Sequence, residues 1–259
     1  MFTTVGFLED IDPAAAFVNI AALADQHVSI AGDDIRVPEL NNIVAVAGLV
    51  DTVVAGQARL VSPTLRRKSN LYLAPLNGQS DAAQEPDSPQ KVIDMRSRPI
   101  ALITGEDLTC QILSNPAAAQ DQSVIVWLAD GPITPVDGAI FTTRVTGTAT
   151  LTVNIWHNAA ITFAENLPRG RYQIVGMRAE SAGLVAARVV FVGGTGWRPG
   201  VLGCDLVGDL QSEIFRNGNF GVFGEFEDTD PPTIDFLSVV ADTAEVLYLD
   251  LIQVREGPG

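Results

Sequence analysis

DLQSEIFRNGNFGVFGEFEDTDPPTIDFLSVVADTAEVLYLDLIQV, residues 209–254, is the stretch from which the fold of this chain is read. Asp209 has the side chain of an N-cap, and Gly218 can end a short helix in the left-handed conformation. Residues 220–226 form a short aromatic and glycine-rich strand, which Pro231 and Pro232 break. Residues 234–240 and 246–254 are two apolar runs around Ala241, Asp242 and Thr243, the pattern of a hairpin.

A weaker copy of the same order lies about 120 residues earlier. Ser88 and Pro89 open a short helix, SPQKVIDMRSR, at residues 88–98. Residues 99–104, 108–114 and 124–128 supply the strands that follow. Thr109 to Ser114 (TCQILS) aligns with Thr233 to Ser238 (TIDFLS), and DQSVIVWL at 121–128 aligns with DTAEVLYL at 242–249. Upstream, PELNNIVAVAG at 38–48 resembles PRGRYQIVGMRA at 168–179, and ARLV at 58–61 resembles ARVV at 187–190. Four pairs in the same order indicate a tandem duplication.

The chain has 259 residues, room for one large domain or two of about 125. Its charge is −15, yet it contains only two lysines, Lys68 and Lys91, so the imbalance is a shortage of base. Nucleic-acid surfaces need clustered Lys and Arg, so sequence-specific binding of nucleic acid is not expected. Cys110 and Cys204 both sit in apolar surroundings; two buried thiols are favoured, with a disulfide left open. The opening MFTTVGFLEDID lacks the apolar core of a signal peptide, no window has the length of a transmembrane helix, and no Asn-x-Ser/Thr sequon occurs.

In chain order, Asp12 and Pro13 suit the start of a helix over residues 12–25, with Phe17, Ile20, Ala21 and Ala24 on one face. Residues 27–73 alternate in the manner of short strands. Residues 76–89 form the most polar loop. GPITPVDG, residues 131–138, is the natural linker. Strands are then expected at 139–145, 148–156, 160–164, 171–177 and 185–192, before the turn-rich loop GGTGWRPG at 193–200. The domain expectation is an N-terminal arm and helix at 1–26, a first β domain at 27–135 and a second at 136–259.

Catalytic chemistry is poorly represented. His27 and His157 fall in different repeats, which argues against a metal centre or a Ser-His-Asp triad. No phosphate-binding loop is present, and the glycines at 193, 194, 196 and 200 are turn glycines. The run Glu225, Phe226, Glu227, Asp228, Thr229, Asp230 is the main carboxylate cluster, without the spacing of a calcium loop. Arg66, Arg67 and Lys68, with Arg96 and Arg98, make the one basic patch. No catalytic residue, metal ligand or cofactor is assigned.

Eight short strands per half with a helix before the last three is the pattern of a jelly roll, two of them in tandem. On the repeated segments quoted above, residues 27–254 resemble the double jelly-roll major capsid proteins of tailless icosahedral DNA viruses, the lineage of internal-membrane phages and adenovirus. The resemblance implies a non-enzymatic structural protein. It implies a homotrimer of pseudo-hexagonal outline that packs against neighbouring capsomers. It also implies penton or minor capsid proteins as partners, a possible membrane beneath the shell, and a virion location after assembly in the host cytoplasm. The rival reading is an extracellular tandem jelly-roll protein that binds or cleaves glycans, for which Trp197, Glu225, Glu227 and Asp228 are the residues to test. A bicupin enzyme is disfavoured, since two scattered histidines cannot build its metal centre.

Overall fold

The computed structural model describes residues 1–24, 27–50, 56–68, 71–72, 92–116, 118–194, 196–204 and 213–256. The described chain is all-β. It divides into two compact units, one of Thr4–Pro132 and one of Ile133–Gly259 together with Met1–Thr3. The division falls within the linker segment at 131–138.

The N-terminal unit runs through β1 (Phe2–Ile11, of which Phe2 and Thr3 belong to the other unit), β2 (Val18–Ile20), β3 (Ile30–Ala31), β4 (Asp34–Arg36), β5 (Asn42–Leu49) and β6 (Gln57–Val61). A five-residue helix, α1 (Pro63–Arg67), follows, then β7 (Leu71–Tyr72), β8 (Ile93–Asp94), β9 (Ile100–Ala101), β10 (Asp107–Leu113) and β11 (Gln120–Ala129). One sheet has the order β1-β11-β5-β8, with β9 also on β5. The other has the order β3-β4-β10-β6-β7, with β2 also on β10. β10 alternates between buried and half-buried residues, the pattern of a strand with one face on a core. All ten residues of β11 are buried, including Trp127 at 0% exposure. Each large apolar side chain so buried contributes about 1.5–3 kcal/mol.

The C-terminal unit contains β12 (Phe141–Gly147), β13 (Trp156–Ala159), β14 (Ile161–Phe163), β15 (Gly170–Glu180), β16 (Leu184–Val190) and β17 (Gly200–Cys204). A single 3₁₀ turn (Glu213–Phe215), β18 (Gly224–Glu227), β19 (Thr233–Ser238) and β20 (Val246–Glu256) complete it. One layer has the order β12-β20-β15-β18 with β14 on the far side of β12, and the other has the order β13-β19-β16-β17. A short parallel pairing, Ala179 with Gly203 and Glu180 with Cys204, joins the layers.

The two units repeat one strand order. β1-β11-β5-β8 corresponds to β12-β20-β15-β18, and β2-β10-β6-β7 to β13-β19-β16-β17. The four repeated segments fall on corresponding strands: β5 and β15, β6 and β16, β10 and β19, β11 and β20. The register agrees too. Thr109 opposes Val61 and Gln111 opposes Arg59 in one unit; Thr233 opposes Val190 and Asp235 opposes Arg188 in the other.

Several expectations are corrected. No helix occupies residues 12–24; residue 25 lies outside the described residues. Asp12 Oδ1 instead accepts from Ala14 N (2.8 Å) in a local turn, and Ala14 and Ala15 have φ of 49° and 59°. Val18–Ile20 then pair with β10, which buries Ile20 completely. Alanine's preference for helix is a few tenths of a kcal/mol per residue, less than that burial provides. The helix expected at 88–98 is replaced, over its described part, by β8, whose Ile93 and Asp94 pair with Val46 and Ala45; residues 88–91, like the polar loop 76–89, lie outside the described residues. The later helix reduces to the 3₁₀ turn, with Asp209 outside the described residues and Gly218 left-handed at φ 74°. β19 and β20 do not form a hairpin, because each pairs within a different layer.

Candidate functional site

Strand alternation and register bring Asn158 on β13, Asp235 on β19 and Arg188 on β16 side by side across three strands. Arg188 Nε donates to Asp235 Oδ2 (2.9 Å) and Asn158 Nδ2 donates to Asp235 Oδ1 (2.8 Å). Arg198, from the loop after β16, donates to the same carboxylate through Nη1. The Arg188 guanidinium lies 3.9 Å from the centre of the Trp156 ring. Arg188 is 0% exposed, Asp235 2% and Arg198 8%. Charge-assisted bonds in such a setting are strong and hold their partners rigidly.

The N-terminal unit carries the neutral counterpart. Arg59 Nε donates to Gln111 Oε1 (2.7 Å), Gln111 Nε2 donates to Asn19 Oδ1 (2.8 Å), and Arg59 lies 3.9 Å from the Phe17 ring centre. Sequence reasoning missed the two segments that complete these ladders, FVNI at 17–20 and WHNA at 156–159. The available signal was an aromatic residue two positions before an asparagine. Both ladders hold strands in register.

A second cluster anchors the turn before β18. The buried Asp250 accepts from Arg216 Nε (2.7 Å) and Nη2 (2.9 Å), Asn217 N (2.8 Å) and Thr142 Oγ1 (2.7 Å). Burial alone would raise the pKa of Asp250; the Arg216 guanidinium and the two further donors outweigh it and hold the carboxyl below its ordinary range. Asp242 acts similarly at the turn before β20. It accepts from Ser181 Oγ (2.7 Å) and Ala182 N (2.9 Å), and these bonds lower its pKa against the effect of burial.

Glu225, Glu227 and Asp228 lie on β18 and the turn after it, and each of the three is engaged. Glu225 accepts from Arg171 (2.7 Å) and Gln173 (2.7 Å), Glu227 from Arg255 (2.8 Å), and Asp228 from Gly170 N (2.8 Å). Among the described residues no group of three or more His, Cys, Asp or Glu side chains is placed to hold a metal ion. His27 and His157 stand in separate units. Cys110 and Cys204 are buried thiols outside any disulfide, Cys204 Sγ donating to Ala179 O (3.3 Å), and burial pushes the Cys110 thiol well above its ordinary pKa. Arg66, Arg67 and Lys68 are exposed at the end of α1, where Ser62 Oγ caps Leu65 N (3.0 Å); Arg96 is tied to Asp94 (2.9 Å).

Trp197 and Glu225 do come together. They line one cleft of about 190 Å³ with Phe2, Phe191, Pro199 and Phe223. A second cavity of about 250 Å³ shares Phe191 and Glu225 and is bordered by Arg171, Glu227 and Asp230. Gly224 makes the first cleft possible, since a Cβ there would stand 2.4 Å from the Phe191 ring.

Comparison of the chain with protein-family models, with curated proteins and with solved structures returns no match.

Proposed function

We propose that the chain is a structural, non-enzymatic shell protein of the double jelly-roll type, two eight-stranded jelly rolls in tandem. The observation that carries this reading is the repeated strand order of the two units, together with the shared register of β6 with β10 and of β16 with β19. First strand beside last, last beside third, third beside sixth is the path of an eight-stranded jelly roll. Two like domains in one chain give a trimer six similar lobes, a shape that tiles a hexagonal lattice through heterologous contacts. The shortage of lysine suits flanks that pack against copies of the same chain. In this reading the partners are two further copies, neighbouring capsomers and penton or minor capsid proteins, and the protein resides in a virion.

The test is solution mass by light scattering after size exclusion. A species near three times the chain mass of 27.5 kDa, growing into sheets or shells with salt or concentration, supports the proposal. A stable monomer at all concentrations rejects it.

One observation favours a second reading. Trp197 and Glu225 share a cleft, and an aromatic ring with a carboxylate is a pairing that carbohydrate sites use. Saturable binding on a glycan array, lost in Trp197→Ala, would support glycan recognition.

A further inference from the structure

We propose that the aromatic cleft beside Trp197 is a socket for the turn at 153–155 of a second copy of the chain. The inference rests on the shell reading above and names one contact through which copies meet. Turn and cleft both belong to the C-terminal unit. Exposed hydrophobic side chains scattered singly are ordinary, whereas neighbouring ones make a patch. Val153 is 42% exposed and Ile155 50%. Their turn is fixed in place: Asn154 N donates to Ser238 O (2.8 Å) and Leu151 N to Asp242 O (2.8 Å). Asn154 has a φ of 59°, a left-handed conformation that takes the chain out of a strand path and presents both apolar neighbours as a knob.

The socket lies at the other end of β19. Ser238, which holds the turn, ends that strand; Thr233 begins it opposite Val190, the residue before Phe191. Five residue steps of about 3.4 Å put the two ends about 17 Å apart, so the turn does not fill the cleft of its own chain. A knob and a socket at separate places on one molecule make a heterologous contact, which joins copies head to tail into rings or open arrays. The chemistry of the cleft selects such an occupant. Phe191, Trp197, Pro199 and Phe223 give it apolar walls, and Met1, 57% exposed, lines it too. Val192, in the adjoining cavity that shares Phe191, is 65% exposed. Glu225 is already held by Arg171 (2.7 Å) and Gln173 (2.7 Å), so it selects no charged ligand. A neutral aliphatic side chain gains most from walls of this kind. The volume of about 190 Å³ suits one branched side chain and lies below the roughly 300–1,000 Å³ of pockets for drug-sized ligands.

The experiment is sedimentation velocity over a concentration series, on the whole chain in four samples. These are the parent, a knob variant (Val153→Ser with Ile155→Ser), a socket variant (Trp197→Ala) and an equimolar mixture of the two variants. Neither variant changes the net charge, so general repulsion between copies is held constant. The knob variant keeps its socket and the socket variant keeps its knob. Each alone should associate at least about tenfold more weakly than the parent, and the mixture, with one intact knob and socket per pair, should recover affinity to within about twofold. Near-ultraviolet circular dichroism confirms that each variant is folded; Val192→Ser, at an exposed position, takes the place of Trp197→Ala if that variant unfolds. Parent affinity in both variants would overturn the proposal and leave the shell reading standing. Two weakened variants whose mixture does not recover would do the same. A parent that stays monomeric at every concentration would overturn both readings. Saturable binding on a glycan array that Trp197→Ala abolishes, with association unchanged, would overturn the proposal and move the cleft to the glycan reading.

Discussion

Replacing Asp235 by Asn removes one negative charge without changing side-chain size, and the structure fixes what that costs. Asp235 is 2% exposed and is shared by Arg188 at 0% and Arg198 at 8%. The variant leaves two buried guanidinium cations facing a neutral amide. Removing one partner of a buried ion pair costs about 3–5 kcal/mol, chiefly because the remaining charge is stranded. The same logic gives a small cost in the N-terminal unit. Gln111 is neutral and half-buried, so Gln111→Ala removes two ordinary hydrogen bonds at about 0.5–1.5 kcal/mol each.

Urea unfolding with tryptophan emission measures both. Trp156 lies against Arg188 and reports on the C-terminal ladder, and the two units can unfold in separate transitions. A triple variant, Arg188→Met with Arg198→Met and Asp235→Leu, removes every charge together and should recover most of the loss seen in Asp235→Asn. If Asp235→Asn stays within about 1 kcal/mol of the parent, the cluster does not depend on its carboxylate and the reasoning fails.

Three further outcomes are expected. Glu245 is 1% exposed, and burial, with a smaller contribution from the nearby Asp242, raises its pKa against the hydrogen bond from its own backbone N–H. A folded pKa above the unfolded one means that stability is fully present below the unfolded value and falls as pH rises through the folded value. Glu245→Gln should therefore stabilise the protein at pH 7 and give no gain at pH 4, as seen in denaturant titrations at the two pH values. Gly176→Ala should cost about 1–3 kcal/mol by overpacking, because its Cβ would stand 2.4 Å from Asp250 Oδ2 and 3.0 Å from Phe215 O; a thermal melt matching the parent would show that the 3₁₀ turn shifts freely. Exchanging Arg66, Arg67 and Lys68 for Ala should weaken association between trimers without altering the trimer, and unchanged assembly by light scattering would return the patch to solvated surface.

The repeat was legible in sequence because β-strand cores constrain residue type at every second position. TCQILS and TIDFLS keep the same alternation, and ARLV and ARVV keep Arg at the same place. Helices were misread for a common reason. Asp12-Pro13 and Ser88-Pro89 satisfy local capping rules, but an open strand edge on β10 or β5 offers more hydrogen bonds and burial than a short isolated helix can. The one α-helix among the described residues, α1, has the same Ser-Pro start at Ser62 and Pro63, and its sequence reads only as a basic patch. The hairpin failed because turn chemistry at 241–243 specifies a reversal of the chain, not the layer to which each strand returns. The cleft was half legible: Trp197 and Glu225 were named, while Phe2, some 200 positions away in sequence, has no local signal that places it there.

The two polar ladders show how burial and charge are matched in the two units. Arg59 and Arg188 occupy one register position, and each lies 3.9 Å from an aromatic ring centre. The half-buried Arg59 keeps contact with water, so the neutral oxygen of Gln111 satisfies it. Arg188 has lost that contact, and Arg198 brings a second cation onto the same spot. A neutral partner there would leave both cations without compensation in a low-dielectric setting, which costs several kcal/mol per ion. Glutamine at 111 and aspartate at 235 are therefore each suited to the solvent exposure of their own unit. Exchange should be asymmetric: Gln111→Asp is tolerated on a half-exposed face, while Asp235→Gln adds a methylene to a full site and removes the charge that two arginines require.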